Sequence, residues 1–257
     1  MRTVLKHVGV FLLLQYVAAL AMLLLVFVCR AWSGANDVWQ SGSPAVMLLS
    51  AFMGFLWIVL YLWKVDGRRT FVRSAHRLSF GGWIEVVVLS LSAVVVIEWI
   101  TLPFSFLPDW GNEGMESILQ TGVPGILLAV VMGPLVEEWM FRGLITRQLL
   151  GCYSVGRALC FSALLFGFAH LNPAQIPSAV LGGWLLAWLY YRTQSLLPGL
   201  IFHVLNNGIS VYAHMAHPDA VSLLSVMGHV SYCLLLSSCL VLLAWAFWRL
   251  KLRTSRK

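Results

Sequence analysis

The chain has 257 residues, of which 60% are hydrophobic, 13% aromatic and only 11% charged, with a mean hydropathy of +0.85 and a formal net charge of +7. Soluble domains carry about 25% charged residues, so the composition excludes an ordinary soluble enzyme and points to a polytopic membrane protein. Its basic residues flank apolar runs rather than form a nucleic-acid module. Cys29, Cys152, Cys160, Cys233 and Cys239 show neither a CxxC pair nor metal-ligand spacing, and read as small hydrophobes within helices.

Arg2 and Lys6 precede an apolar run over residues 8–29. That run exceeds a signal-peptide core and is long enough to span, and the bulky residues before Cys29 do not suit a lipoprotein cleavage site, so an uncleaved first helix is expected. Further spans are expected at about 45–63, 83–102, 125–150, 157–170, 177–191, 197–212 and 221–248. The fold class is therefore an all-α transmembrane bundle of about eight spans, one integral-membrane domain over residues 1–257. The fifth to seventh spans are short and interrupted by polar residues, and such helices, buried among others, are where membrane proteins build sites. Residues 103–124 form the longest outer connection; with Trp110, Met115 and Ile118 they suit either a short interfacial helix or a solvated loop.

Charge placement orients the bundle. Lys64, Arg68, Arg69, Arg73 and Arg77 crowd the loop after the second span. Arg147 and Arg157 flank the next basic loop, Arg192 follows the sixth span, and Arg249, Lys251, Arg253, Arg256 and Lys257 form the tail. The alternate loops hold Asp109, Glu113, Glu116 and Asp219, with Arg30 and Asp37 in the first. The positive-inside rule then places both termini in the cytoplasm, and the basic groups could also hold anionic lipid.

Three polar clusters interrupt the apolar spans. The first is Glu137-Glu138-Trp139-Met140-Phe141-Arg142. A charged residue at bilayer depth costs roughly 2.5–3.5 kcal/mol on insertion scales and is a functional-site hypothesis by default. Four residues advance a helix by ~400°, so Glu138 and Arg142 share a face and can pair, leaving Glu137, turned by ~100°, for another task. Gly133-Pro134 lies one turn upstream, where proline kinks a helix and exposes carbonyls. The second cluster is Phe166-Gly167-Phe168-Ala169-His170. The third is His203-Val204-Leu205-Asn206-Asn207, in which His203 and Asn207 share a face. Taken singly, each has a bland reading: a structural ion pair, an interfacial histidine, an asparagine that glues helices. Together they supply a base, hydrogen-bond donors and a charge partner, the ingredients for hydrolysis by water.

EEWMFR fits E-E-x-x-x-R, FGFAH fits F-x-x-x-H and HVLNN fits H-x-x-x-N. In that order, on successive apolar helices, these motifs resemble the signatures of the CPBP family of CAAX proteases and bacteriocin-processing enzymes. The resemblance covers residues 124–212, the expected catalytic core. The family is similar to the eukaryotic endopeptidases that trim prenylated CAAX proteins, and to glutamate-dependent intramembrane proteases. It implies an endopeptidase in which Glu137 is general base on a water that His170 holds. His203 and Asn207 would donate to the oxyanion, and Glu138 and Arg142 would support the site. The implied partners are a membrane-associated protein or peptide substrate and the lipid bilayer, with no nucleic acid. The implied location is a multi-pass place in a cell membrane, of a prokaryote to judge from the compact length.

No cofactor is expected, although zinc on Glu137, His170 and His203 is a mechanistic rival; no H-E-x-x-H motif is present. Two other functions compete. A membrane immunity protein would bind a peptide without cutting it. A channel is suggested only by Asn172-Pro173-Ala174, which resembles the motif that water channels use in pairs and here reads as a helix stop. Elsewhere, Glu85 and Glu98 near the ends of the third span are expected to snorkel, His229 to pack as a hydrogen-bonder, and His7, His76, His214 and His217 to lie at interfaces.

Overall fold

The computed structural model describes residues 1–33, 44–67, 78–218, 220 and 222–254. Among them every regular element is helical: α1 (Arg2–Ser33), α2 (Pro44–Val65), α3 (Phe80–Thr101), α4 (Asn112–Leu119), α5 (Val123–Cys152), α6 (Val155–Ala169), α7 (Ile176–Thr193), α8 (Leu197–Ala216), α9 (Leu223–Met227) and α10 (His229–Thr254). A long helix falls on each expected span. Five of them, α1, α2, α3, α5 and α10, are long and apolar enough to cross a membrane, and α6 is a shorter apolar helix. In α7 and α8 the apolar residues are diluted by Gly182, Gly183, His203, Asn206 and Asn207. The last expected span is divided. Gly228 takes a left-handed φ of 76°, a conformation that glycine adopts without steric cost, so α9 stops there and α10 begins anew at His229.

The most central span is α3: 56% of its apolar window is buried inside the protein, against 22% for α1 and 17% for α10. It packs on α10, α8 and α7, while α6 lies along α7 and α1 along α2. Small residues let α6 and α7 meet backbone to backbone, as expected for membrane helices. A Cβ on Gly183 would stand 2.9 Å from Phe166 and 3.3 Å from the Cα of Ala163; one on Gly167 would stand 2.3 Å from Val180.

Of the two readings of the 103–124 connection, a short helix forms. It is α4, which packs on α2. Asn172 ties this connection to the end of α6. Its side chain accepts the Trp110 N–H at 3.1 Å and donates to Asp109 at 2.8 Å. With α6 ending at Ala169 and Leu171 at φ 52°, the single Asn-Pro-Ala is a helix stop that anchors a loop.

Basic residues gather at one pole of the bundle. Asp66, just after α2, is buried and accepts hydrogen bonds from Trp139 Nε1 at 3.1 Å and from Arg147. Arg192 at the end of α7 donates to Thr254 at 2.8 Å and to the Lys251 carbonyl at 2.5 Å. Glu85 does not snorkel: it is 2% exposed, near the start of α3, and accepts from Arg249 at 3.2 Å and Arg253 at 2.6 Å. Glu98, near the other end of α3, accepts from the Leu223 N–H and the Tyr232 hydroxyl. Neither carboxylate needs to reach water, because α10 and the turn before it bring the partners. His229 is exposed rather than packed, and His7 is buried with its Nδ1 2.5 Å from the Tyr61 hydroxyl. Arg68, Arg69, Arg73, His76, Arg77, Asp37, Asp219, Arg256 and Lys257 lie outside the described residues.

Overpacking a tight helix contact costs about 1–3 kcal/mol. Gly183→Ala is therefore expected to lower the melting temperature of the protein in nanodiscs, whereas Gly151→Ala, with no neighbour within 4 Å of the new methyl, leaves it unchanged or raised.

Candidate active site

The site is built on an irregular helix. Within α5 the hydrogen-bonding register widens to π over Leu128–Met132 and again over Glu138–Thr146, with one α turn, Gly133–Glu137, between. Such bulges concentrate at functional sites. Pro134 explains the first. In the wide register the Gly133 N–H reaches back five residues to the Leu128 carbonyl. The next bond in that register would run from residue 134 to Ala129, and proline has no N–H to make it. Asn207 of α8 makes it instead, donating from Nδ2 to the Ala129 carbonyl at 3.0 Å. The carbonyl that the proline was expected to expose is thus met from another helix. In the second π segment the Thr146 hydroxyl donates to the Phe141 carbonyl at 2.7 Å and lies 2.6 Å from Ser162.

Glu138 and Arg142 are 1% and 0% exposed and pair at 2.9 Å, so the expected i,i+4 geometry survives the π register. Arg142 also donates to the Gly183 carbonyl at 3.2 Å and lies 4.2 Å over the Phe166 ring, a cation–π contact. The oxygen of Glu138 that holds Arg142 also accepts from His203 Nδ1 at 2.9 Å. A carboxylate only accepts, so Nδ1 carries a proton and Nε2 is turned toward Glu137, 3.6 Å from its Oε2. His203 thus bridges the two neighbouring carboxylates. A ring so engaged donates from Nε2 only when both nitrogens are protonated. Phe166 is the hub of the packing, edge-on to Phe141 at 5.1 Å, His170 at 4.8 Å and His203 at 5.7 Å.

Glu137 differs from its neighbour. Its side chain is 27% exposed and opens on a cavity of ≈ 180 Å³ lined by Phe11, Gln15, Glu137, Phe141, Phe166, Ala169 and His170. His170 Nδ1 is 2.9 Å from the Phe166 carbonyl, which can only accept; in the neutral ring Nε2 is then the acceptor and can hold a water by one of its hydrogens. Glu137, Glu138, Arg142, His170 and His203 therefore come together around Phe166. Asn207 lies a turn beyond His203, and neither of the two is among the cavity-lining residues. Among the described residues no three His, Cys, Asp or Glu side chains are placed to hold a metal ion.

Two helices of the cavity wall were anticipated and one was not. Phe11 and Gln15 come from α1, with Phe11 edge-on to Phe141 at 5.6 Å. A lone amide in the first apolar run was the available signal.

A family model described as "Type II CAAX prenyl endopeptidase Rce1-like" matches residues 119–209, from the end of α4 into α8. The membrane-embedded CAAX protease MroQ of Staphylococcus aureus (strain USA300) is 30% identical over 102 residues. Over residues 119–209 the chain is therefore similar to the CPBP family of CAAX proteases. The MroQ alignment takes in 37% of this chain and 41% of that protein, so the chain spans less than half of its relative's length. No solved structure matches. The family match contains all seven motif residues, carried by α5, α8 and the C-terminal end of α6, but not the α1 wall of the cavity.

Removing one partner of a buried ion pair costs about 3–5 kcal/mol because the other charge is left uncompensated. Arg142→Gln is expected to lose most of the folded protein in detergent, and Glu138→Gln with Arg142→Gln to recover much of that loss. A double-mutant cycle on melting temperature measures the coupling.

Proposed function

We propose that this multi-pass protein is an intramembrane endopeptidase that cuts a peptide bond near the membrane with a water activated by Glu137. One observation carries this reading. The motif presents two adjacent carboxylates; Glu138 is consumed by Arg142 and His203, and Glu137 opens on a cavity that it shares with the acceptor nitrogen of His170.

In the proposed reaction a water donates one hydrogen bond to Glu137 and one to His170 Nε2. As its oxygen attacks the peptide carbonyl carbon, its proton passes to Glu137. The negative charge that forms on the carbonyl oxygen is met by the doubly protonated His203, with Asn207 offering the amide hydrogen left over from Ala129. Collapse of the tetrahedral intermediate breaks the C–N bond, Glu137 returns its proton to the leaving nitrogen, and the products are a carboxylic acid and an amine. A positioned general base contributes about 10²–10⁴-fold and an oxyanion donor about 2.7–4 kcal/mol. No step of the proposed reaction passes through a metal.

The relative's name and the family's description speak of CAAX proteases, and the substrate class we infer is correspondingly a membrane-associated protein or peptide. The bacterial relative and the basic pole support a place in a prokaryotic cell membrane, with that pole in the cytoplasm.

Sequencing C-termini across the membrane proteome tests the reading. Glu137→Gln is expected to abolish a set of new C-termini that the wild-type protein produces, at unchanged protein level, and a zinc chelator to leave them in place. Retention of all of them in Glu137→Gln would leave a peptide-binding protein that does not cut, and loss with the chelator would assign the water to zinc.

A further inference from the structure

The cavity has a third wall that the proposed chemistry leaves unused. α5 brings Glu137 and Phe141, α6 brings Phe166, Ala169 and His170, and α1 brings Phe11 and Gln15. Gln15 lies midway along the apolar span Arg2–Val28, and Glu137 lies near the middle of the span Val123–Cys152. Two polar side chains at mid-span on different helices thus face one space. Phe11, 3% exposed and edge-on to Phe141, fixes the register of α1, and Gln15 follows one turn later on the same face. Among the described residues its amide has no hydrogen-bond partner. Gln15 is exposed where α1 borders the cavity, so its amide is free to take a partner that enters there.

We propose that Gln15 is a positioning residue for the substrate backbone, a reading that rests on the endopeptidase function above. A primary amide offers a donor and an acceptor, the complement of the C=O and N–H of an extended peptide. It is also neutral, so it neither competes with Glu137 for the water nor alters the charge that Glu137 carries. The cavity volume of ≈ 180 Å³ equals about six waters' share of liquid, room for a peptide unit and the attacking water. The chain opposite Glu137 and His170 would be held by Gln15 so that its carbonyl faces the catalytic pair. α1 would then be part of the active site although it lies outside the family match.

The test uses the full chain in nanodiscs and a synthetic peptide that spans the most abundant Glu137-dependent cleavage site. Gln15→Met keeps the length of the side chain and removes the amide. One lost hydrogen bond of ordinary strength predicts that KM rises about 2- to 12-fold while kcat and the melting temperature hold. Gln15→Asn is expected to fall between wild type and Gln15→Met. Tyr16→Phe, one residue on and 61% exposed, leaves both constants unchanged. An unchanged KM in Gln15→Met, or a fall in kcat alone, overturns the role of Gln15 and leaves the endopeptidase standing. Equal cleavage by wild type and Glu137→Gln overturns the endopeptidase itself.

Discussion

Burying Glu138 and Arg142 together inside a membrane bundle imposes conditions on nearly every helix around them. The guanidinium must find more than one acceptor, and it does so by reaching the Gly183 carbonyl and the face of Phe166. That reach goes with the close approach of α7 to α6, where a side chain at residue 183 would meet Phe166 and Ala163. The carboxylate must share its charge, and it does so with His203, which draws α8 inward until Gly199 lies beside it; a Cβ there would stand 3.0 Å from Glu138 Oε2. Gly199 is thus held small by the carboxylate of the ion pair itself.

The same pair separates two chemically identical neighbours. Glu138 is held from two sides and shut away, whereas Glu137 has one loose imidazole contact and an open face. Adjacent positions on a helix point in different directions, so a single step along the chain moves a carboxylate from the interior of the protein to its cavity. The π register around them adds space without breaking the helix, and the Pro134 defect behind the first of its two segments is met by Asn207. That side chain has a structural duty whether or not it also meets the oxyanion. Its place in the H-x-x-x-N motif follows from geometry, because the residue one turn beyond His203 is the one that can reach back to the loosened turn of α5.

Much of this was legible in the letters. The Glu138–Arg142 pair follows from four-residue spacing, and the placing of three motifs on three apolar runs requires that those runs meet. The π register was not legible, because its cause is spread over a proline, the residue five before it and an asparagine on another helix. Glu85 was misread for a related reason. A carboxylate near a helix end has a cheap local explanation, and its two arginines lie too far along the chain for spacing to reveal them. Asp66 escaped notice beside the basic loop that it adjoins. Phe166 could be read only as a motif letter, since aromatic packing against two histidines and an arginine has no periodicity. Gln15 passed without remark in the first apolar run, and nothing in that run says which way its side chain faces.

The anchoring of Glu85 also bears on how the protein comes into being. Its arginine at residue 253 lies 168 residues later in the chain. At synthesis rates of about 5–20 residues per second, roughly 8–34 seconds separate the two on the ribosome. Over that interval α3, destined for the centre of the bundle, carries an unmatched carboxylate near the basic pole. The α5–α8 core can be synthesised and begin to gather while this charge still seeks water or a temporary host. The arrival of α10 therefore acts as a late latch, and a nascent chain halted before it would present insertion factors and quality-control proteases with an acidic group that the finished protein conceals.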